Sequence, residues 1–224
     1  MLALTGCSGK IGGAVLHSLL QHSILPPSSL VICTTSSPSS HPNLAEAQSK
    51  GIQIRSSNYD DRASMLSAFQ GCTSLFLVSS PQIALDFNNA PHGEGREKQH
   101  FNAIDAAVEA GVKHIYYTSL AFGSESVAAV MRAHLRTEAY LKQLHEQGKV
   151  DFTIIREGLY NESWPLYFGY YYDLKKDERS EVVIAGDGPV SWTSISDLGL
   201  VTAMVLGAPR EEYAGKGEGE EGGG

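Results

Sequence analysis

The stretch Thr5-Gly6-Cys7-Ser8-Gly9-Lys10-Ile11-Gly12 has the residue types and spacing to hold an anion. It follows the apolar run Leu2-Ala3-Leu4 and leads into Ile11, Val15 and Leu19, which with Leu16 and Leu20 form a stripe at helical spacing. A strand that turns into a helix through glycines spaced in this way presents free backbone N–H groups and the positive end of the helix dipole in one direction. Gly6 suits the tight turn, Gly9 leaves room for a pyrophosphate where a Cβ would intrude, and Gly12 lets the helix pack closely on the sheet. Glycine trios also occur in plain flexible turns. The position between a strand and an amphipathic helix is what directs this one to a nucleotide.

The elements that must position such a loop are legible as an alternation. Apolar runs of strand length recur at Leu30-Val31-Ile32-Cys33, Ile52-Gln53-Ile54, Leu75-Phe76-Leu77-Val78, Ile115-Tyr116-Tyr117 and Phe152-Thr153-Ile154-Ile155. Between them, Met65-Leu66-Phe69 ends at Gly71, and Phe101, Ile104 and Val108 end at Gly111, where a left-handed cap is wanted. Strand and helix in alternation, joined by right-handed crossovers, predict an α/β doubly wound parallel-sheet Rossmann fold, with the nucleotide at the carboxyl ends of the strands. The expected division is a dinucleotide-binding core over 1–158, a small C-terminal substrate lobe with returning elements over 159–209, and a low-complexity tail over 210–224. Ser36 to Pro42 reads as a loop, and GKGEGEEGGG from Gly215 as a segment too poor in apolar area to fold.

Composition removes several classes. A net charge of −8 offers no basic surface for a phosphate backbone, so no nucleic acid is expected. Cys7, Cys33 and Cys72 lie in no CxxC spacing and the histidines form no HExxH pair, which argues against a disulfide framework or a metal site. Cys7 in the loop and Cys33 at the end of the second strand are either thiols beside an adenosine or two buried, inert cysteines. With neither a basic leader nor an apolar stretch of spanning length, a cytoplasmic protein without membrane contact is expected.

TGCSGKIGG resembles the TGATGxxG fingerprint of the NmrA-like group of atypical short-chain dehydrogenases, which holds NADPH-dependent quinone oxidoreductases and catalytically silent redox-sensing regulators. Further matching segments are Asn58-Tyr59-Asp60-Asp61, Leu75 to Ser80, Ala106 to Ser119, His134-Leu135-Arg136-Thr137-Glu138 and Phe152 to Glu162. Together they cover residues 1 to about 206 in order, nearest the quinone oxidoreductase branch. The resemblance implies NADP(H), with NAD(H) as the other candidate. It places Gly6, Cys7, Ser8, Gly9, Lys10, Ile11, Thr34, Ser36, Tyr59, Asp60, Val78, Ser79, Ser80, Ser119, His134, Glu157, Gly158, Leu159 and Tyr160 on the cofactor. Ser119 and His134 take the catalytic positions beside the nicotinamide; Tyr160, Trp164 and Tyr167, with Tyr170 to Tyr172 nearby, offer an aromatic wall for a planar acceptor or the packing of a small lobe.

The departures from the family pattern bear on the chemistry. Carbonyl-reducing relatives carry Tyr-xxx-Lys where this chain has Val130 and His134, so the proton-donating tyrosine is missing. The second strand is followed by Thr34-Thr35-Ser36-Ser37, with neither the arginine of NADP-preferring members nor the acid that would claim an NAD ribose. Hydroxyls tolerate a 2′-phosphate and an acid repels it, so NADP(H) is preferred. His134 is expected to position ribose or acceptor, with Glu138 one turn on orienting the ring and favouring its charged form. The family continues beyond the helix near Asp197 to Leu206, so the lobe is expected to be truncated. Two functions fit: hydride transfer from NADPH to a quinone-like small molecule, which takes its proton from water, or a non-catalytic NADP(H)-binding redox sensor or transcriptional regulator module.

Overall fold

The computed structural model describes residues 1–123, 125–164, 178–181, 186 and 188–217. Strands β1 (Leu2–Thr5), β2 (Leu30–Thr34), β3 (Gln53–Ser56), β4 (Ser74–Leu77), β5 (His114–Leu120), β6 (Asp151–Glu157) and β9 (Lys216–Gly217) form one sheet in the order β3-β2-β1-β4-β5-β6-β9. All its neighbours are parallel. β7 (Leu159–Tyr160) and β8 (Trp192–Thr193) make a separate short parallel pair. The helices are α1 (Lys10–Gln21), α2 (Pro42–Ser49), α3 (Arg62–Phe69), α4 (Glu97–Glu109), α5 (Ala129–Glu146), α6 (Ile195–Gly207) and α7 (Arg210–Tyr213).

Both faces of the sheet are covered, which is why its central strands read as unbroken apolar runs. Ala3, Val31, Leu75 and Ile115 point to one face and pack with Met65, Phe69, Ile104 and Leu141 of α3, α4 and α5. Their neighbours Leu4, Ile32, Phe76 and Tyr116 point to the other, against Val15, Leu19, Leu44 and Ala203 of α1, α2 and α6. From β1 the chain runs outward through β2 to β3, then returns to the other side of β1 as β4. Strand order therefore reverses between β1 and β4, and a crevice opens at their carboxyl ends. Asp61 caps α3 by accepting the Ser64 N–H at 3.1 Å, and Gly111 closes α4 at φ +90 as the sequence predicts.

The tail departs from expectation. Where no fold is predicted from residue 210 on, Arg210–Tyr213 forms a helical turn and Lys216–Gly217 joins the open edge of β6, preceded by a Gly215 N–H bond to the Phe152 carbonyl at 2.8 Å. Composition argues from side chains, but an exposed strand edge recruits a segment through its backbone groups alone. No described helix is long and apolar enough to cross a membrane.

Candidate functional site

A cavity of about 680 Å³ opens where strand order reverses, between the Thr5-Gly6 end of β1 and Val78 after β4. The turn that builds it leaves no space for side chains. Gly6 sits at φ +68 with Val78 against it, and a Cβ on Gly12 would lie 2.4 Å from the Gly6 carbonyl oxygen. Gly12 is thus demanded by the loop folding back on itself, not by helix-on-sheet packing as its place in the motif suggests. The Gly9 N–H donates to the Gly6 carbonyl at 2.8 Å and α1 starts at Lys10, so the N–H groups of its first turn have no intrahelical acceptor. The Thr5 hydroxyl ties β1 to β4, donating to the Phe76 carbonyl at 3.1 Å and accepting the Val78 N–H at 2.9 Å. Tyr59 closes that wall by donating to the Val78 carbonyl at 2.5 Å.

The charge of the lining is opposite to that of the chain. Lys10 faces the cavity, as does the edge of Arg96, whose charge Asp86 neutralises from behind, and the described lining contains no Asp or Glu, in a protein of net charge −8. At the end of β2 the lining is Cys33, Thr34 and Thr35, past β3 it is Ser57, Asn58 and Tyr59, all neutral. A nicotinamide dinucleotide fits this arrangement: bare loop amides and a lysine for the pyrophosphate, and hydroxyls without a carboxylate where a ribose or its phosphate would lie.

Most predicted site residues come together here. Gly6, Ser8, Gly9, Lys10, Ile11, Thr34, Tyr59, Val78, Ser79, Ser80, His134, Gly158, Leu159 and Tyr160 all line the cavity. Others do not. Cys7 turns into the core beside Val15 and Leu16, where burial pushes its thiol pKa up; Cys33, which does line the cavity, is pushed up to about 12 by burial, so both are inert thiols. Ser36 is withdrawn, its N–H bonded to Thr34 Oγ1 at 3.0 Å, and Asp60 accepts from Gln99 at 2.7 Å. Trp164 is 48% exposed and away from the lining, while Tyr167 and Tyr170 to Tyr172 lie outside the described residues.

Ser119 requires a correction. On β5 it shares a strand face with Tyr117, toward α5, and its hydroxyl donates to Glu138 Oε1 at 2.6 Å in full burial. Leu120, the next residue, is the one that reaches the cavity. The same contact corrects Glu138, which does not orient His134. Its carboxylate is bound by Arg156 Nη2 at 2.6 Å as well as by Ser119. His134 pairs instead through Nδ1 with the Tyr117 hydroxyl at 2.9 Å. Burial first, and the nearby Arg96 cation second, hold its pKa down to about 3, so the ring is neutral and not charged. Val130 stands one turn before it on α5 and also lines the cavity.

Arg96 and the buried cluster behind His134 are absent from the sequence reading. Arg96 pairs with Asp86 at 2.8 Å, both side chains 2% exposed, and donates to the Ser80 carbonyl at 2.9 Å and the Val130 carbonyl at 3.1 Å. It therefore clamps the segment after β4 to the start of α5. An arginine in a polar stretch such as Gly93-Glu94-Gly95-Arg96-Glu97 carries no burial signal, so only its partners reveal it.

Residues 6–184 match the family described as NAD(P)H-binding. The chain belongs to that family. Among curated relatives of this NAD(P)H-binding chain, an NmrA-like family domain-containing oxidoreductase of Aspergillus flavus is 32% identical over 206 residues, which are 91% of this chain and 60% of that protein. Quinone oxidoreductase 2 of Escherichia coli is 32% identical over 208 residues, 92% of this chain and 64% of that one. The chain thus spans under two thirds of the length of these two relatives. The Citrobacter sp. triphenylmethane reductase complexed with NADP(H) superposes with TM-score 0.73 at 26% identity, covering 96% of this chain and 68% of that one. The NADPH-dependent quinone oxidoreductase of Escherichia coli complexed with NADPH gives 0.72 at 30%, covering 97% and 68%. The NmrA-like resemblance near the quinone oxidoreductase branch and the Rossmann fold both hold.

Glu157, expected on the cofactor, lies behind the lining of this cavity. It accepts from the Tyr160 hydroxyl through Oε2, and its Oε1 has no partner among the described residues. Burial pushes its carboxyl up to about 7 against the lowering effect of Tyr160. Because the folded chain holds this proton more tightly than the unfolded one, the stability it contributes is complete below the unfolded value of 4.5 and is lost as pH rises through about 7. Glu157→Gln keeps an acceptor for Tyr160 and has no such proton. Its stability relative to the parent is expected to climb across that window by roughly 2–3 kcal/mol, read by urea unfolding at stepped pH. Parallel stability curves for the two proteins would refute the shift.

Proposed function

We propose that the chain is an NADP(H)-dependent oxidoreductase that passes a hydride to a small planar acceptor of the quinone class. The observation that carries this reading is the lining: a lysine, open helix amides and, among the described residues, no carboxylate, at the switch point of an acidic α/β protein. The amides of Lys10 to Gly12 and the Lys10 side chain would hold the pyrophosphate, and Thr34 and Thr35 the 2′-phosphate. Bound NADPH supplies a hydride, two electrons with one hydrogen nucleus.

The chain's own residues decide what takes it. Ile83, Leu120, Phe122, Val130 and Leu159, with Tyr160 beside them, line the cavity with apolar and aromatic surface suited to a flat ring. Valine at position 130 excludes proton donation from that place, which a quinone tolerates because its reduced form takes a proton from water. The names of the Escherichia coli relatives support the same class of acceptor. The experiment is NADPH oxidation followed by its absorbance with simple benzoquinones. Turnover is expected; tight NADPH binding without turnover for any quinone would replace this reading with that of a redox sensor.

Cofactor preference has its own test. With neutral donors where an arginine would make a charge-assisted pair, NADPH is expected to bind more tightly than NADH by a modest ratio. Thr35 lines the cavity and Ser36 does not, so Thr35→Arg is the substitution expected to widen that ratio, by roughly tenfold in titration calorimetry. An unchanged ratio would mean that the phosphate lies elsewhere.

A further inference from the structure

Behind the cavity wall lies a chain of buried polar side chains whose hydrogens can be assigned one after another. His100, at 0% exposure, accepts the Ser80 backbone N–H at Nε2 over 2.9 Å. A backbone amide only donates, so Nε2 is bare and a neutral His100 carries its hydrogen on Nδ1. That nitrogen faces Thr137 Oγ1 at 2.8 Å and the Tyr117 hydroxyl at 3.3 Å. Thr137 gives its own hydrogen to the Ala133 carbonyl at 2.7 Å and is therefore free to accept. The Tyr117 hydroxyl cannot donate to His100 Nδ1, which already bears a hydrogen. Its remaining hydrogen bond is to His134 Nδ1 at 2.9 Å. Thr137 Oγ1, the other oxygen near the Tyr117 hydroxyl, already accepts from His100 Nδ1, so Tyr117 donates to His134 Nδ1 and that nitrogen accepts.

We infer that His134 presents Nε2–H to the cavity as a fixed, neutral hydrogen-bond donor for the oxygen of the acceptor, with Tyr117, His100 and Thr137 as the positioning residues that lock its tautomer. This rests on the proposed hydride transfer to a quinone. As the quinone gains two electrons and one hydrogen nucleus, one of its oxygens becomes the anion of a hydroquinone. A preoriented N–H stabilises that charge as it develops, and the anion takes its proton from water on leaving. His134 itself neither gains nor loses a proton. The groups facing it explain why: Arg96, just before α4, is a cation, His100 and Tyr117 are neutral and sealed, and Glu138 is held by Arg156. Nothing in that shell favours an imidazolium, and the pKa of the ring is depressed accordingly. The blocked end at His100 also rules out a proton wire, because passing the Nδ1 hydrogen onward would leave an imidazolate.

The test is the tautomer itself, read by long-range proton–nitrogen NMR correlation on the nitrogen-labelled protein with NADPH bound, the His134 signals being those missing in His134→Gln. The expected result is a protonated Nε2 and a bare Nδ1, unchanged from about pH 5.5 to about pH 8, a range in which an ordinary histidine titrates. Tyr117→Phe is expected to release the ring into a mixture of tautomers and to lower kcat with a benzoquinone roughly tenfold, with NADPH affinity unchanged. His134→Gln, which retains a side-chain N–H, should keep more turnover than His134→Leu, whose kcat is expected to fall by roughly 10²-fold. A hydrogen on Nδ1, or a ring that charges in this pH range, overturns the inference whatever the activity. A parent protein with the expected tautomer that reduces no quinone overturns the proposed reaction instead.

Discussion

Gly12→Ala is expected to abolish NADPH binding and to lower the melting temperature. The added Cβ would sit 2.4 Å from the Gly6 carbonyl oxygen and 2.5 Å from its carbon, both backbone atoms that cannot swing aside. Relief requires α1 to move from the loop or the Gly6 turn to open, and either motion misaligns the amides that make the anion site. Overpacking of this kind costs about 1–3 kcal/mol, which for a chain of this size is a fall of roughly 2–10 °C. Gly9→Ala is the informative contrast. Its Cβ would be 3.2 Å from the same oxygen, a fit that the loop absorbs with small shifts, so the fold should survive while the intrusion toward the pyrophosphate weakens binding. Calorimetric melting and NADPH titration of the two variants separate the roles. Full NADPH affinity in Gly12→Ala would mean that the loop is not the cradle.

Arg96→Met should be the most destabilising single change near the site, by about 3–5 kcal/mol in denaturant unfolding. It strands the Asp86 carboxylate, which is as buried as its partner, and removes the donors to the Ser80 and Val130 carbonyls. Burial already pushes the Asp86 pKa up despite the neighbouring guanidinium. Without Arg96 the folded chain favours the protonated acid further, a raised pKa whose stabilisation is lost as pH rises. The deficit should therefore be larger at about pH 8 than at about pH 5. Adding Asp86→Asn removes the stranded charge and is expected to recover part of the loss. A variant with parental stability would show that the ion pair contributes nothing net.

What the sequence discloses follows from how local each feature is. The central strands are sealed on both faces and announce themselves as apolar runs, and the glycine loop is a contiguous motif. Helix α2, absent from the sequence reading, buries only Leu44 and Ala47 and so shows no stripe. Strand β9 is held by backbone groups and has no side-chain pattern to find. Ser119 is drawn to the site by motif position, although the alternation of β5 puts it with Tyr117 on the α5 side; that period was the available signal. His134 lines the cavity, but its partner is not the glutamate one turn away. The Tyr117 contact crosses from helix to strand, a juxtaposition made by the packing of α5 on the sheet. Arg96 and His100 are hidden for the same reason, because their roles rest on contacts with Asp86, Val130, Thr137 and Tyr117.

Titration calorimetry of the parent protein with NADPH, and separately with NADH, tests the central claim most directly. A cavity built from a glycine loop, a lysine and neutral hydroxyls should take up one NADPH per chain, with weaker binding of NADH. No saturable heat with NADPH, or tighter binding of NADH, would contradict the assignment of this cavity as an NADP(H) site.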